Sequence, residues 1–405
     1  MVQEIRPSSA EELKEVVAWA AAAKTPLEIL GAGSKRDLGR PVEADVCVML
    51  EGLAGIRLYE PAELVMSAKA GTPIAEIEAR LAEQRQQLAF EPPDYGAILG
   101  GEPGRGTIGG VLACNLAGPR RIKAGAARDH FLGVQAVTGR GDLIKSGGRV
   151  VKNVTGYDLC KLFAGSFGTL VAMTEVTFKV LPAPEHEVTL LLRPRGRASG
   201  FAALRRAMGS AADVGAAAYL PAAATARSAI AGVAARAVDL VALRLEGPEP
   251  SVRERAQRLQ ALLADEGEID QLTPAESAAL WREIRDVALL PGAPPLWRVS
   301  LPPTAGAPLL DALERDLELA WLADWAGGLL WLAVGDEADA GAGRIRPALA
   351  GSGGHATLIR ASAELRGAVP VFQPQDPALA RLTARVKDSF DPERILNRGR
   401  MYEGV

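Results

Sequence analysis

The chain has 405 residues, 46 of them basic and 49 acidic, and 48% of the sequence is hydrophobic. That length accommodates two or three domains with separate cores, and apolar residues spread along the whole chain exclude a disordered polymer. A charge balance so close to neutral offers no concentrated basic face for nucleic acid. Three cysteines (Cys47, Cys114, Cys160) stand far apart with no C-x-x-C pair, which excludes a disulfide framework and an iron–sulfur cluster in this chain. Three dispersed histidines (His130, His186, His355) give little material for a metal centre, and none is predicted. The N-terminal run carries acids and lacks an apolar core, so no signal peptide is predicted. No charge-free apolar stretch reaches membrane-spanning length. These features point to a cytoplasmic protein with no direct membrane anchor.

In chain order, Ser8 or Ser9 caps a helix with Glu11 and Glu12 in its first turn and Leu13, Val16, Val17 and Ala20 on one face. Pro26 ends it, and residues 27–30 read as a short buried strand. GAGSKRDLG (31–39) follows as a strand-to-loop turn whose backbone N–H groups can form a nest for phosphate oxygens. A plain turn accounts for GAGS equally well when it is taken alone. The dinucleotide fingerprint G-x-G-x-x-G needs glycine at position 36, where Arg36 stands, and the P-loop pattern is absent. An ordinary nicotinamide site and a P-loop NTPase are therefore disfavoured.

Residues 46–50 and 64–68 read as the next strands, and Pro73 opens a helix over 74–84. The next loop delivers the chain to GRGTIGGVLACNLAGPRR (104–121), the most informative stretch. Four glycines crowd around Thr107 there. A packed core has no use for so many missing side chains, whereas a backbone pressed against a flat or phosphorylated ligand does. The basic residues Arg120, Arg121, Lys123 and Arg128 read either as a solvated loop or as contacts to phosphate or carboxylate. Strands over 133–138 and 143–146 form a hairpin through GRGD. VVKNVTGYDLCKLFAGSFGTL (150–170) makes a second glycine-rich wall, with a short helix at 159–163, and 169–181 alternates like a half-buried strand.

Beyond residue 186 alanine, leucine and arginine dominate. Strand-like runs at 188–192, 240–245, 297–301, 329–334 and 357–359 alternate with helix-like runs at 201–208, 252–263, 275–284 and 309–319. This pattern predicts an α+β domain built on one antiparallel sheet. The tail FDPERILNRGRMYEGV (390–405) reads as a docking segment.

The motifs together resemble a known family. GAGS, GTIGG (106–110) and the run 152–170 are similar to the vanillyl-alcohol-oxidase-type (PCMH-type) FAD-binding domain. KNVTGYDLCKLFAGSFGTL and FDPERILNRGRM resemble signatures of flavin-linked D-lactate and glycolate dehydrogenases. The GPRR segment and shortened middle look most like the FAD-binding E subunits of bacterial glycolate oxidases. The resemblance implies a two-lobed FAD domain over 1–185, an α+β cap or subunit-contact domain over 186–365, and a C-terminal segment, 366–405, returning to the FAD domain. It implies that Gly31, Ala32, Gly33, Ser34 and Lys35 hold the pyrophosphate, with Thr107, Ile108, Gly109 and Gly110 opposite. Ala113, Asn115 and Gly118 would follow the flavin along a strand. Gly165, Ser166, Gly168 and Thr169 would approach the adenine and ribose, and Asn397 the flavin edge. Relatives with covalent flavin use His or Cys near these loops; Lys35, Arg36 and Asp37 after GAGS imply noncovalent FAD. The Pro that follows I-L-N in the family is Arg398 here.

Oxidising a 2-hydroxy acid needs a base for the hydroxyl proton and a cation for the carboxylate, while the flavin supplies the redox chemistry. The family's S-G-E-H-G-I-G-like stretch is reduced here to GSGGHATLIR (351–360), which leaves His355 as candidate base. Arg298 and Arg121 are the candidate carboxylate contacts. The resemblance implies a glycolate dehydrogenase complex with a second flavoprotein subunit and an iron–sulfur subunit, reaching the membrane only through them. A self-sufficient D-2-hydroxy-acid dehydrogenase and a noncatalytic assembly subunit with structural FAD are the alternatives.

Overall fold

A computed structural model describes residues 3–149 and 156–405. They form two compact units. The first comprises residues up to Ala117, Gly125–Ala183 and Pro370–Val405; the second comprises Gly118–Ala124 and Pro184–Val369.

In the first unit, the strands Gln3–Ile5, Val46–Met49 and Leu27–Leu30 lie parallel in that order. The helix Ala10–Ala23 covers them, capped by Ser9, whose Oγ accepts the Glu12 N–H at 3.1 Å. Leu13, Val17 and Ala20 pack with Leu27, Val46, Val48, Ile395 and Leu396 in one apolar core. The C-terminal segment enters this sheet: Leu396 bridges Leu27 in parallel, and the Asn397 N–H donates to the Leu27 carbonyl at 3.0 Å. A five-stranded antiparallel sheet runs Ile56–Glu60, Val65–Lys69, Val171–Lys179, Phe131–Thr138 and Leu143–Gly147. Its last two strands are the GRGD hairpin.

The second unit is built on an eight-stranded antiparallel sheet. Its order is Gly267–Gln271, His186–Pro194, Leu240–Gly247, Ala216–Leu220, Leu319–Asp324, Leu329–Val334, Leu296–Ser300 and His355–Arg360. Helices Arg197–Met208, Glu249–Leu263 and Pro274–Arg285 accompany it. One expectation needs correction here, and one strand was not anticipated. The run 309–319 is a helix only over Gly306–Leu313, and its end belongs to the strand Leu319–Asp324. Ala216–Leu220, an alanine-rich run with helical propensity, is instead a wholly buried strand. From this strand Tyr219 stacks against Phe201 and Trp321, with centroids 5.2 and 5.5 Å away. Tertiary burial overrides propensity there.

Candidate functional site

In the first unit, the parallel sheet ends in the glycine turn, and the helix Ile108–Ala113 begins opposite it. Between them opens a cleft whose lining is drawn from both walls. Gly31, Ala32, Gly33, Ser34, Lys35, Thr107, Gly109, Gly110, Ala113, Gly168 and Asn397 line it. The walls approach so closely that a Cβ on Gly31 would stand 2.2 Å from Thr107 Oγ1. Gly168 sits at φ +72°, and a Cβ there would meet Asn397 Nδ2 at 2.7 Å.

Lys35 is half-buried on this wall. Its ammonium donates to Ser34 Oγ at 3.2 Å and forms no ion pair among the described residues. Burial is the main cause that pulls its pKa below the ordinary lysine range. A cation held out of water without a counter-ion gains most from an anionic ligand. Thr107 caps the helix Ile108–Ala113 at its Gly110 N–H, and Gly109 and Gly110 line the cleft at the first turn. Cys114, also on the lining, is the one thiol there, and burial pushes its pKa up, so it stays protonated at neutral pH.

Several residues of the sequence-derived set do other work. Ile108 is buried inside its helix. Ala113, Asn115 and Gly118 do not lie along a strand: Ala113 closes the helix, and Asn115 turns the chain at φ +49°. Asn115 Oδ1 accepts the Arg128 N–H at 2.9 Å, and Gly118 belongs to the second unit. A short helix with a left-handed exit satisfies the backbone locally, so no sheet partner is needed. Gly165 turns at φ +84°. The hydroxyls of Ser166 and Thr169 donate to the Phe163 and Ser166 carbonyls, both at 2.8 Å, and so fold the turn that places Phe167 and Gly168 on the cleft. The start of the second glycine-rich wall, 150–155, lies outside the described residues.

Asn397 lines the cleft, yet its side-chain amide is committed to the walls. Oδ1 accepts the Ile29 N–H at 2.7 Å, and Nδ2 donates to the Phe167 carbonyl at 2.8 Å. Arg400, absent from the sequence-derived set, also lines the cleft. It donates to the Arg36 and Leu38 carbonyls at 3.1 and 3.0 Å and to Glu28 Oε1 at 2.9 Å, bracing the glycine turn. Its signal was its place three residues after Asn397 in a tail that docks. Ile29, Leu30, Leu50, Ala70, Val171 and Met173 complete an apolar part of the lining that generic strand residues do not advertise.

In the second unit, Arg121, Arg298 and His355 come together. The register pairs Ser300 with His355, so Arg298, two residues earlier on the same face, stands diagonally beside the imidazole. Trp325, in the turn between the strands Leu319–Asp324 and Leu329–Val334, carries both guanidiniums on its ring. Arg121 Cζ lies 4.8 Å and Arg298 Cζ 5.0 Å from the ring centroid. His355 is exposed overall, but its ring is partly desolvated. That desolvation first, then the charges of Arg298 and Arg121, pulls its pKa below the usual imidazole value. A histidine so placed is neutral at pH 7 and accepts a proton; two adjacent guanidiniums attract a carboxylate.

Next to Arg121 in sequence, Arg120 is largely buried and pairs with Glu246, Nε to Oε1 at 2.9 Å. It also lies 3.6 Å from Glu187, whose pKa burial raises. This pair ties the segment that carries Arg121 to the sheet. Among the described residues, no cluster of His, Cys, Asp or Glu could hold a metal ion.

Residues 3–147 match the FAD binding domain family. The chain is 36% identical over 403 residues to the glycolate oxidase subunit GlcE of Escherichia coli (strain K12), covering 97% of each chain. It is 31% identical over 188 residues to the glycolate oxidase subunit GlcD of Bacillus subtilis (strain 168), covering 46% of this chain and 38% of that one. Among solved structures, p-cresol methylhydroxylase with substrate bound superposes with a TM-score of 0.73 at 14% identity, over 98% of this chain and 88% of that one. The fold is the PCMH-type FAD-binding fold, and the cofactor is FAD.

Proposed function

Because the chain belongs to the family of the glycolate oxidase subunit GlcE, we propose that it is the FAD-binding subunit of a 2-hydroxy-acid dehydrogenase complex that oxidises glycolate to glyoxylate. The observation that carries this reading is the glycine-walled cleft with Lys35, which forms no ion pair among the described residues, in a chain that matches that relative over 97% of its length. When bound, FAD supplies the acceptor for a hydride from the substrate carbon.

The chain's own residues supply the rest. Lys35 and the N–H groups of the two glycine walls hold the diphosphate. The protonated Cys114 thiol is a poor nucleophile, which supports noncovalent binding. Arg121 and Arg298 grip the substrate carboxylate, and neutral His355 takes the hydroxyl proton. Electrons then leave through a second flavoprotein subunit and an iron–sulfur subunit, since the three dispersed cysteines offer no cluster of their own. Among the described residues no helix is long and apolar enough to cross a membrane; we place the chain in the cytoplasm, meeting the membrane only through these partners.

Acid precipitation of the purified yellow protein tests the cofactor reading. Release of all flavin into the supernatant supports it, and flavin retained in the pellet contradicts noncovalent binding.

A further inference from the structure

Two glutamates face each other in the sheet of the second unit. Glu187, on the strand His186–Pro194, and Glu246, on Leu240–Gly247, are register partners across an antiparallel pair. Side chains so opposed stand about 4.5–5.5 Å apart at Cβ, and like charges there repel. Both carboxylates are largely out of water, their side chains 17% and 12% exposed. A sheet keeps such a pair only where cations hold it together.

One cation belongs to the sheet itself. Arg244, wholly buried, lies 3.9 Å from Glu246 and stacks on Trp281, its Cζ 4.7 Å from the ring centroid. The other comes from the segment Gly118–Ala124. Arg120 Nε donates to both oxygens of Glu246, at 2.9 and 3.1 Å, and Nη2 lies 3.6 Å from Glu187. The acceptors are themselves fixed. The Ser277 hydroxyl donates to Glu187 Oε1 at 2.5 Å, and Arg255 donates to the Glu246 carbonyl at 2.6 Å. A Cβ on Gly215 would stand 2.8 Å from Glu246 Oε2, so the carboxylate occupies space that only glycine leaves open. The two glutamates thus form a socket for one guanidinium fork.

Arg121 follows directly in the chain. It makes no side-chain hydrogen bond or ion pair among the described residues, and its guanidinium rests on the Trp325 ring. Its place is therefore set by the backbone that carries it. Of the other ties of this segment, the Lys123–Asp213 pair is exposed and worth little, and the Trp325 indole reaches only the Gly118 carbonyl. We propose that the opposed pair Glu187 and Glu246 is a socket for Arg120, a positioning residue that sets Arg121 for the substrate carboxylate. The proposal rests on the reading that Arg121 binds that carboxylate. It requires an arginine, because a lysine ammonium is a single point and cannot serve both glutamates.

The test uses the FAD-loaded chain assembled with its partner subunits, with glycolate as probe and the melting temperature as a second readout. Arg120→Met raises KM at least about tenfold with a smaller change in kcat. It also lowers the melting temperature, because two buried carboxylates lose a cation. Adding Glu246→Gln removes the excess charge and leaves Arg244 with Glu187. In this double variant the melting temperature recovers while KM stays raised, which separates position from stability. Arg120→Lys keeps the charge and raises KM by a smaller factor; it carries the test where the double variant stays unstable. The double variant or Arg120→Lys with unaltered KM overturns the positioning role. Arg121→Ala keeps the two failures apart: if it too leaves KM unchanged, the carboxylate reading falls with the proposal, and if it raises KM, that reading stands alone.

Discussion

Lys35 and His355 show how one physical effect, desolvation, prepares two residues for different work. For Lys35 the lost hydration of the ammonium is restored by a bound anion. Lys35→Met removes that cation without burying a new charge, so FAD affinity should fall at least tenfold while the melting temperature of the FAD-free protein stays the same; flavin titration by fluorescence checks this. For His355 the sign follows from its lowered pKa: the neutral, proton-accepting form persists to a lower pH than for an ordinary histidine near about 6.5. The acid limb of kcat/KM for glycolate therefore lies below that value. Arg298→Leu removes one of the charges that depress it, so the limb moves to higher pH; a pH–rate profile that does not move would contradict the assignment. At this scale the sequence was most informative where chemistry is local. GAGS and GTIGG announce a close approach by lacking side chains, which Gly31 and Thr107 then make. Trp325 announces nothing, because its role comes from residues brought near only by folding.

Among the elements, the C-terminal helix Pro377–Phe390 and the strand-like segment after it do the most for the cleft. Asp376 caps this helix, donors coming from the Ala378 and Leu379 N–H groups, and Pro377 opens it. The D-P signal was present in the sequence, yet the helix was not anticipated. Near its end, Lys387 and Asp391 form an ion pair at 2.7 Å with no exposed side-chain surface on either partner. Lys387 also donates to the Thr169 and Leu396 carbonyls at 2.6 and 2.9 Å, and Asp391 accepts the Ile395 and Leu396 N–H groups. One buried pair thus joins the Thr169 turn to the segment that delivers Asn397. Lys387→Met leaves Asp391 as an uncompensated buried charge and should cost about 3–5 kcal/mol in urea unfolding. A loss below about 1 kcal/mol would show that the pair is dispensable. Caps and hairpin glycines made such elements as Ala10–Ala23 and the 139–142 turn legible. The strand Ala216–Leu220 was hidden because its composition favours a helix and only the sheet around it decides otherwise.

On the scale of the whole molecule, the chain order and the compact units differ. Gly118–Ala124 leaves the first stretch to join the second unit, and Pro370–Val405 returns to the first. No composition shift marks either crossing, which is why the short excursion was not foreseen. The return has a measurable consequence: a chain ending at Val369 lacks Lys387, Asn397 and Arg400, three of the supports of the cleft. It should hold no FAD after purification, whereas retention of a full flavin complement would show that the cleft stands without its C-terminal wall. Anaerobic mixing shows most directly whether this chain carries noncovalent FAD and receives electrons from a 2-hydroxy acid. The FAD-loaded chain, assembled with its partner subunits, is mixed with glycolate while the flavin absorbance of this subunit is followed. The flavin should bleach, and His355→Gln should slow the bleaching by at least about a hundredfold. A chain that cannot be loaded with FAD, or bleaching that His355→Gln leaves unchanged, would contradict that reading.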